Sequence, residues 1–225
     1  MMTPELLLPT NTTTPFRGQP GDRVVLPDGV AVEIFARANL PSSYGPLEMV
    51  AFKNNLDGKE HVAVVRGAVL GRRGIHVRVH SECLTGDVFG SRKCDCGSQL
   101  DAALGAIADM EEGVILYMRQ EGRGIGLANK IKAYSLQDQG FDTVEANLHL
   151  GFDDDLRDYR VSAAMLHLLG VESVNLFTNN PKKVEGLRTN GVLVENRVPL
   201  QIEPNEYNEK YLRTKRRKSG HLLDL

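Results

Sequence analysis

The sequence predicts a layered α/β fold (mixed α+β), with a strand-rich N-terminal part and a C-terminal part in which helix and strand alternate. Three observations carry this. The stretches "VAVEIFA", "LEMVAF", "HVAVVRGAVL" and "GIHVRVHSE" are rich in β-branched residues, and "GIHVRVHSE" alternates cleanly. After Cys96 the apolar period lengthens to that of a helix. The short apolar runs "VILYM", "SVNLFT" and "VLVEN" then stand between helical stretches, as buried strands of a layered core do. At 225 residues the chain is long enough to bury a substantial core.

The elements follow in order. Residues 1–22 are rich in Thr, Pro, Gly and Asn without periodicity and read as a flexible tail. In "GIHVRVHSE", Ile75, Val77 and Val79 point one way, and His76, Arg78, His80 and Glu82 the other. Leu100, Ala103, Leu104, Ile107 and Met110 recur at helical spacing, with Gly113 as the stop. A Gly-rich loop leads into a helix with Leu127, Ile131 and Tyr134 on one face, ended by Gly140. A further helix carries Leu156, Tyr159, Ala163, Leu166 and Leu169, with Asp153 to Asp155 as capping residues before it and Gly170 after it. Pro181 suits the first turn of a short helix that follows "SVNLFT". There is no internal repeat.

Composition narrows the function. The chain is 41% hydrophobic and 25% charged, with a net charge of −2, so no global positive field draws in nucleic acid. No apolar run is long enough to span a membrane, and the N-terminus lacks the basic start of a secretory signal. The expected location is the cytoplasm, where thiols stay reduced. Six Lys or Arg lie between Lys210 and Lys218. Their usual meaning is a solvated helix face; a landing strip for a polyanion is the alternative.

Four stretches carry chemistry. All three cysteines, Cys83, Cys94 and Cys96, fall in "SECLTGDVFGSRKCDCG" with spacing C-x10-C-x-C. Such clustering points to a metal held by thiolates. His80, three residues upstream, could close the set as a structural site; without it, the fourth position is left to water, as in zinc deaminases. "RQEGRGIGL" (Arg119–Leu127) follows a strand and opens a helix, so it is either a phosphate cradle or a plain tight turn. "TNNPKK" (Thr178–Lys183) places two lysines at a helix N-terminus, where the dipole disfavours them unless an anion intervenes. "DDDLRD" offers carboxylates as bases and Arg157 as a phosphate partner.

Taken together, "RVHSECLTGD", "KCDCGSQL", "RQEGRGIGL", "DTVEAN", "DLRDY", "TNNPKK" and "YLRTKRRKSGHLL" resemble GTP cyclohydrolase II of riboflavin biosynthesis, in family order from about Leu40 to the end. The resemblance implies a family-like fold over a catalytic domain at 23–225. It also implies an enzyme that opens the imidazole ring of GTP, releasing formate and pyrophosphate. It implies Zn2+ on Cys83, Cys94 and Cys96 with the fourth position open, Mg2+ on the triphosphate, and a homodimer without nucleic-acid partners. GTP contacts carry over to Arg78, Val79, His80, Ser81, Glu82, Gln99, Glu121, Gly122, Arg123, Thr143, Thr178 and Lys183. Tyr134 matches the tyrosine assisting hydrolysis and Asp155 the proton acceptor. Arg157 matches the residue assigned as nucleophile at the α-phosphate; because a guanidinium stays protonated, stabilisation of phosphoryl charge is the alternative role. A nucleobase deaminase would need H-x-E and P-C-x-x-C; His80-Ser81-Glu82 matches the first, but P-C-x-x-C is absent, since the paired cysteines stand as K-C-D-C.

Overall fold

The computed structural model describes residues 18–153 and 155–224. Residues 1–17 of the expected tail lie outside the described residues. Over 18–22, Gly21 N–H donates to Ile34 O and Ile34 N–H to Asp22 O, so this part is tied to a strand.

One eight-stranded mixed sheet organises the chain, in the order β1-β2-β3-β4-β6-β5-β7-β8. Its antiparallel half comprises β1 (Arg23–Val25), β2 (Ala31–Ser42), β3 (Gly45–Asn54) and β4 (His61–Arg66). Its parallel half comprises β5 (Ile75–Ser81), β6 (Gly113–Met118), β7 (Ser173–Phe177) and β8 (Leu193–Val198), with β6 joined to β4 in antiparallel fashion. The helices are α1 (Leu84–Asp87), α2 (Cys96–Ala108), α3 (Leu127–Asp138), α4 (Thr143–His149), α5 (Arg160–Leu168), α6 (Pro181–Thr189) and α7 (Glu209–Lys218). None is long and apolar enough to cross a membrane.

Both faces of the parallel half are covered. Val77 and Val79 of β5 and Val114, Leu116 and Met118 of β6 pack with the apolar face of α5 in the main core. Ile115 and Phe177 form a smaller cluster with Ala103 and Ile107 of α2 on the opposite face. The predicted alternation of β5 holds: its valines enter the main core, leaving Arg78 and His80 for the other face. β5 lies between β6 and β7, so the chain leaves it in one direction and later returns on its other side. In open α/β sheets, ligands bind beyond the strand carboxyl ends at such a reversal.

Several boundaries differ from the sequence reading. Gly113 begins β6 rather than stopping α2; a Cβ there would come within 2.9 Å of the Ile107 side chain, so close packing requires glycine. α5 starts only at Arg160, leaving Leu156 outside it and Asp155 paired with Arg157 instead of capping. The expected face of α3 holds only at Tyr134, which lines the cleft: Leu127 and Ile131 are exposed, while Lys130 and Ala133 are buried. That inner face covers a polar cleft instead of the apolar core. α4 carries no clear apolar period, and its sequence signal is "DTVE", a capping box in which Asp142 and Glu145 bond each other's backbone N–H.

Candidate active site and metal centre

The carboxyl ends of β5, β6 and β7 open into one cleft enclosing about 980 Å³, its solvent-filled mouth included. Cys83 leaves β5 as the N-cap of α1, and Cys96 is the first residue of α2. The three sulfurs lie within 4.8 Å of one another, with Cys83 and Cys94 at 3.6 Å. A tetrahedral zinc with sulfurs at about 2.3 Å requires a sulfur–sulfur separation of about 3.8 Å, so the set fits. Two glycines make this approach possible. A Cβ on Gly86 would lie 3.0 Å from the Cys94 sulfur and 3.2 Å from that of Cys83; one on Gly97 would lie 2.3 Å from the Gly86 carbonyl oxygen.

The closed reading, with His80 as fourth ligand, does not hold. His80 Nε2 faces Asp87 Oδ2 at 3.0 Å, and among the described residues only the three cysteines gather. Asp87 also accepts from Cys83 N–H and from the Tyr117 hydroxyl, each at 2.9 Å, fixing the turn that carries the first thiol. Hydrogen bonds from Cys94 and Cys96 hold the Cys83 thiol well below its ordinary range, with Lys130 adding to the effect. Hydrogen bonding to Cys83 pushes Cys94 up to about 11, and hydrogen bonds to Cys83 and Cys94 together with burial push Cys96 well above its ordinary range.

A second hub is Glu121, in the 3₁₀ turn Glu121–Gly124. Its carboxylate accepts from Leu84 N–H and Gly122 N–H and from Lys130 Nζ, all at 2.8 Å. The loop around it is a tight turn rather than a phosphate cradle. Gly122, Arg123, Gly124 and Gly126 all have positive φ, and the N–H groups of Gly122, Gly124, Ile125 and Gly126 are taken within the loop. Its contribution is therefore to aim side chains.

The rest of the wall is cationic. Burial pushes Arg78 down to about 10; its Nη1 donates to Phe177 O at 3.0 Å and its Nη2 to Gln99 Oε1 at 2.5 Å. Gln99 passes the contact to Asp95, which pairs with Lys215 at 2.6 Å. Burial also depresses Lys183 strongly, with Arg78 and Arg157 adding to the effect, while its Nζ donates to Val79 O at 2.6 Å. Burial would lower Arg157 as well, but Asp155 outweighs it through bonds of 2.7 and 2.5 Å and holds the guanidinium charged. Arg78 Nε, His80 Nδ1 and Ser81 Oγ are buried without a hydrogen-bond partner among the described residues. In the wall of a cleft, such polar atoms point to a polar ligand.

The sequence model of the GTP cyclohydrolase II family matches residues 33–199, most of the sheet and all three cysteines. The chain belongs to the GTP cyclohydrolase II family. Curated relatives agree with this. The riboflavin biosynthesis protein RibBA of Bacillus subtilis (strain 168) is 58% identical over 185 residues, covering 82% of this chain and 46% of that protein. RibBA of Endomicrobium trichonymphae is 56% identical over the same lengths. The chain thus spans about half the length of the curated relatives it matches. A solved two-domain 3,4-dihydroxy-2-butanone 4-phosphate synthase from A. baumannii is related at a TM-score of 0.37 and 20% identity, covering 74% of this chain and 40% of that one; a likeness that loose carries no argument.

In this GTP cyclohydrolase II family member, nearly every residue singled out from the sequence lines the cleft. The two outside it stand behind the wall. Val79 turns its side chain into the main core and offers only its carbonyl, and Asp155 backs Arg157. Sequence reasoning missed Lys130 and Lys215, which also line the cleft. Lys215 sat in the run read as a solvated face, yet it shares a buried stripe with Leu212. That i, i+3 spacing was the available signal. Both Lys215 and His221, another lining residue, lie beyond the stretch that the family model matches.

Proposed function

We propose that this chain is a zinc-dependent hydrolase that opens the imidazole ring of GTP. It releases formate from C8 and pyrophosphate from the triphosphate to give 2,5-diamino-6-(5-phospho-ribosylamino)pyrimidin-4(3H)-one, the first step of riboflavin biosynthesis. The reading is carried by one observation: a three-cysteine set with no fourth ligand among the described residues shares its cleft with Arg78, Arg157 and Lys183. The first part suits hydrolysis of a ring carbon and the second suits a polyphosphate. When bound to the three cysteines, zinc would supply a Lewis acid that makes water nucleophilic near neutral pH.

The protein groups then have separable tasks. The buried cations receive the triphosphate oxygens, to which Mg2+ would be bound; an arriving anion would draw Lys183 back toward its charged form. Arg157, with its nitrogens held by Asp155, stabilises charge on the phosphoryl group. Burial raises the Tyr134 hydroxyl to about 12, so it keeps its proton at neutral pH and can donate it or orient water. Ser81, Glu82, Gln99, Thr143 and Thr178 supply the polar contacts that orient the base and ribose. Tyr134→Phe should therefore slow formate release by about 10²–10⁴-fold while GTP affinity stays within about twofold. Single-turnover assays beside equilibrium binding measure the two, and an unchanged formate rate removes Tyr134 from the chemistry.

Exposed Leu127, Ile131 and Leu148 support pairing with a second copy, and three free cysteines suit the cytoplasm. Mass spectrometry of products after incubating zinc-loaded chain with GTP and Mg2+ tests the whole reading. The diaminopyrimidine monophosphate with formate and pyrophosphate is expected. A formamido product would limit the reaction to ring opening, and intact GTP with zinc bound would make the cysteines a structural clamp.

A further inference from the structure

Three thiolates on a divalent cation leave the set with net negative charge, and an electron-rich set is a poor Lewis acid. A centre that must activate water needs charge withdrawn from sulfur. Lys130, buried on the inner face of α3, is placed to do this. Its Nζ donates to Cys83 Sγ at 3.1 Å and to Glu121 Oε1 at 2.8 Å. Glu121 is itself fixed by Leu84 N–H and Gly122 N–H, so the ammonium has a defined seat between carboxylate and sulfur. Cys83 does not need Lys130 for its position, because its backbone N–H is held by Asp87 and its residue caps α1.

We propose that Lys130 is a positioning residue that limits electron donation from Cys83 to the metal and so raises the metal's Lewis acidity, with Glu121 setting how much of the lysine's charge reaches the sulfur. The inference rests on the metal reading given above. Partners of metal ligands commonly change affinity or activity about 10–100-fold, and an N–H···S bond from an ammonium is a strong member of that class. The sign of the effect is fixed. Removing the ammonium enriches Cys83, and neutralising Glu121 frees more of the ammonium's charge for the sulfur.

The test uses the full chain loaded with Co2+, whose sulfur-to-cobalt charge-transfer band reports the electron richness of the thiolates. Lys130→Met should move the band to lower energy and cut kcat for GTP about 10–100-fold in the zinc form. Lys130→Arg, which keeps a charged donor, should stay nearer the wild type. Glu121→Gln should move the band the opposite way, to higher energy, and decides the matter alone if Lys130→Met does not fold. Bands that stay put with cobalt bound overturn the proposal. So do shifts in the same direction from both variants, the pattern expected of loosened packing. A wild-type chain that takes up no cobalt shows no band at all and removes the metal reading itself, an outcome distinct from a band that fails to shift.

Discussion

Cys94→Ser is expected to leave the fold standing and to abolish the proposed turnover of GTP. The main core lies between the sheet and α5, on the face away from α2, and no cysteine belongs to it. The sulfurs are gathered by short turns beyond the carboxyl end of β5, where Gly86 and Gly97 meet. Losing one of three ligands should empty the site, since serine is a poor zinc ligand and no side chain among the described residues stands in reserve. Lewis-acid catalysis supplies several kcal/mol of transition-state stabilisation, so the expected loss is about 10³-fold or more. Metal content by elemental analysis, far-ultraviolet circular dichroism and a formate assay measure the three consequences. A variant that loses zinc and unfolds would show instead that the metal holds the domain together.

Arg157→Ala should lower kcat by about 10²–10³-fold, with pyrophosphate release hit hardest. The variant also leaves Asp155 buried without its cation, an arrangement that is strongly destabilising when one partner of a buried pair is removed. Arg157→Lys keeps the charge but not the fork that meets both carboxylate oxygens, so it should recover stability better than rate. The pairing also bears on the nucleophile question. Asp155 stabilises the protonated guanidinium, and burial does not overcome it. A protonated guanidinium has no lone pair to offer phosphorus. Enzyme quenched during turnover and examined by intact-mass spectrometry should therefore carry no guanylyl adduct; an adduct on Arg157 would falsify the electrostatic role.

How much of this could be read from the sequence follows from what each signal encodes. The strands were legible because β6 buries apolar residues on both faces and leaves an apolar run, while β5 alternates β-branched with polar residues. The cysteine set was legible because three thiols close together in sequence have few other purposes. Three features were not legible. Leu127 and Ile131 were placed on the inner face of α3 beside Tyr134, yet only Tyr134 lies there, since apolar periodicity assumes an apolar neighbour and α3 covers a polar cleft. The glycines of "RQEGRGIGL" suggested exposed N–H groups, but positive φ values close the loop on itself and consume those groups. Lys215 vanished into a basic run because sequence cannot show that one of six charges meets Asp95, far upstream in the chain. Longer-range pairing of this kind decided which side chains form the cleft.

The contact between Gly86 and Gly97 has a practical consequence. Because the two backbones approach closely, the cysteine-bearing turns form a single clasp, and the tip of the chain that joins them stands away from it. Val88, Phe89 and Gly90 in that joining stretch are exposed, with Phe89 74% accessible. The stretch is thus a natural port for engineering. A fluorophore, an affinity peptide or a tether to a solid support could be spliced in there, sitting beside the catalytic centre while leaving the clasp closed.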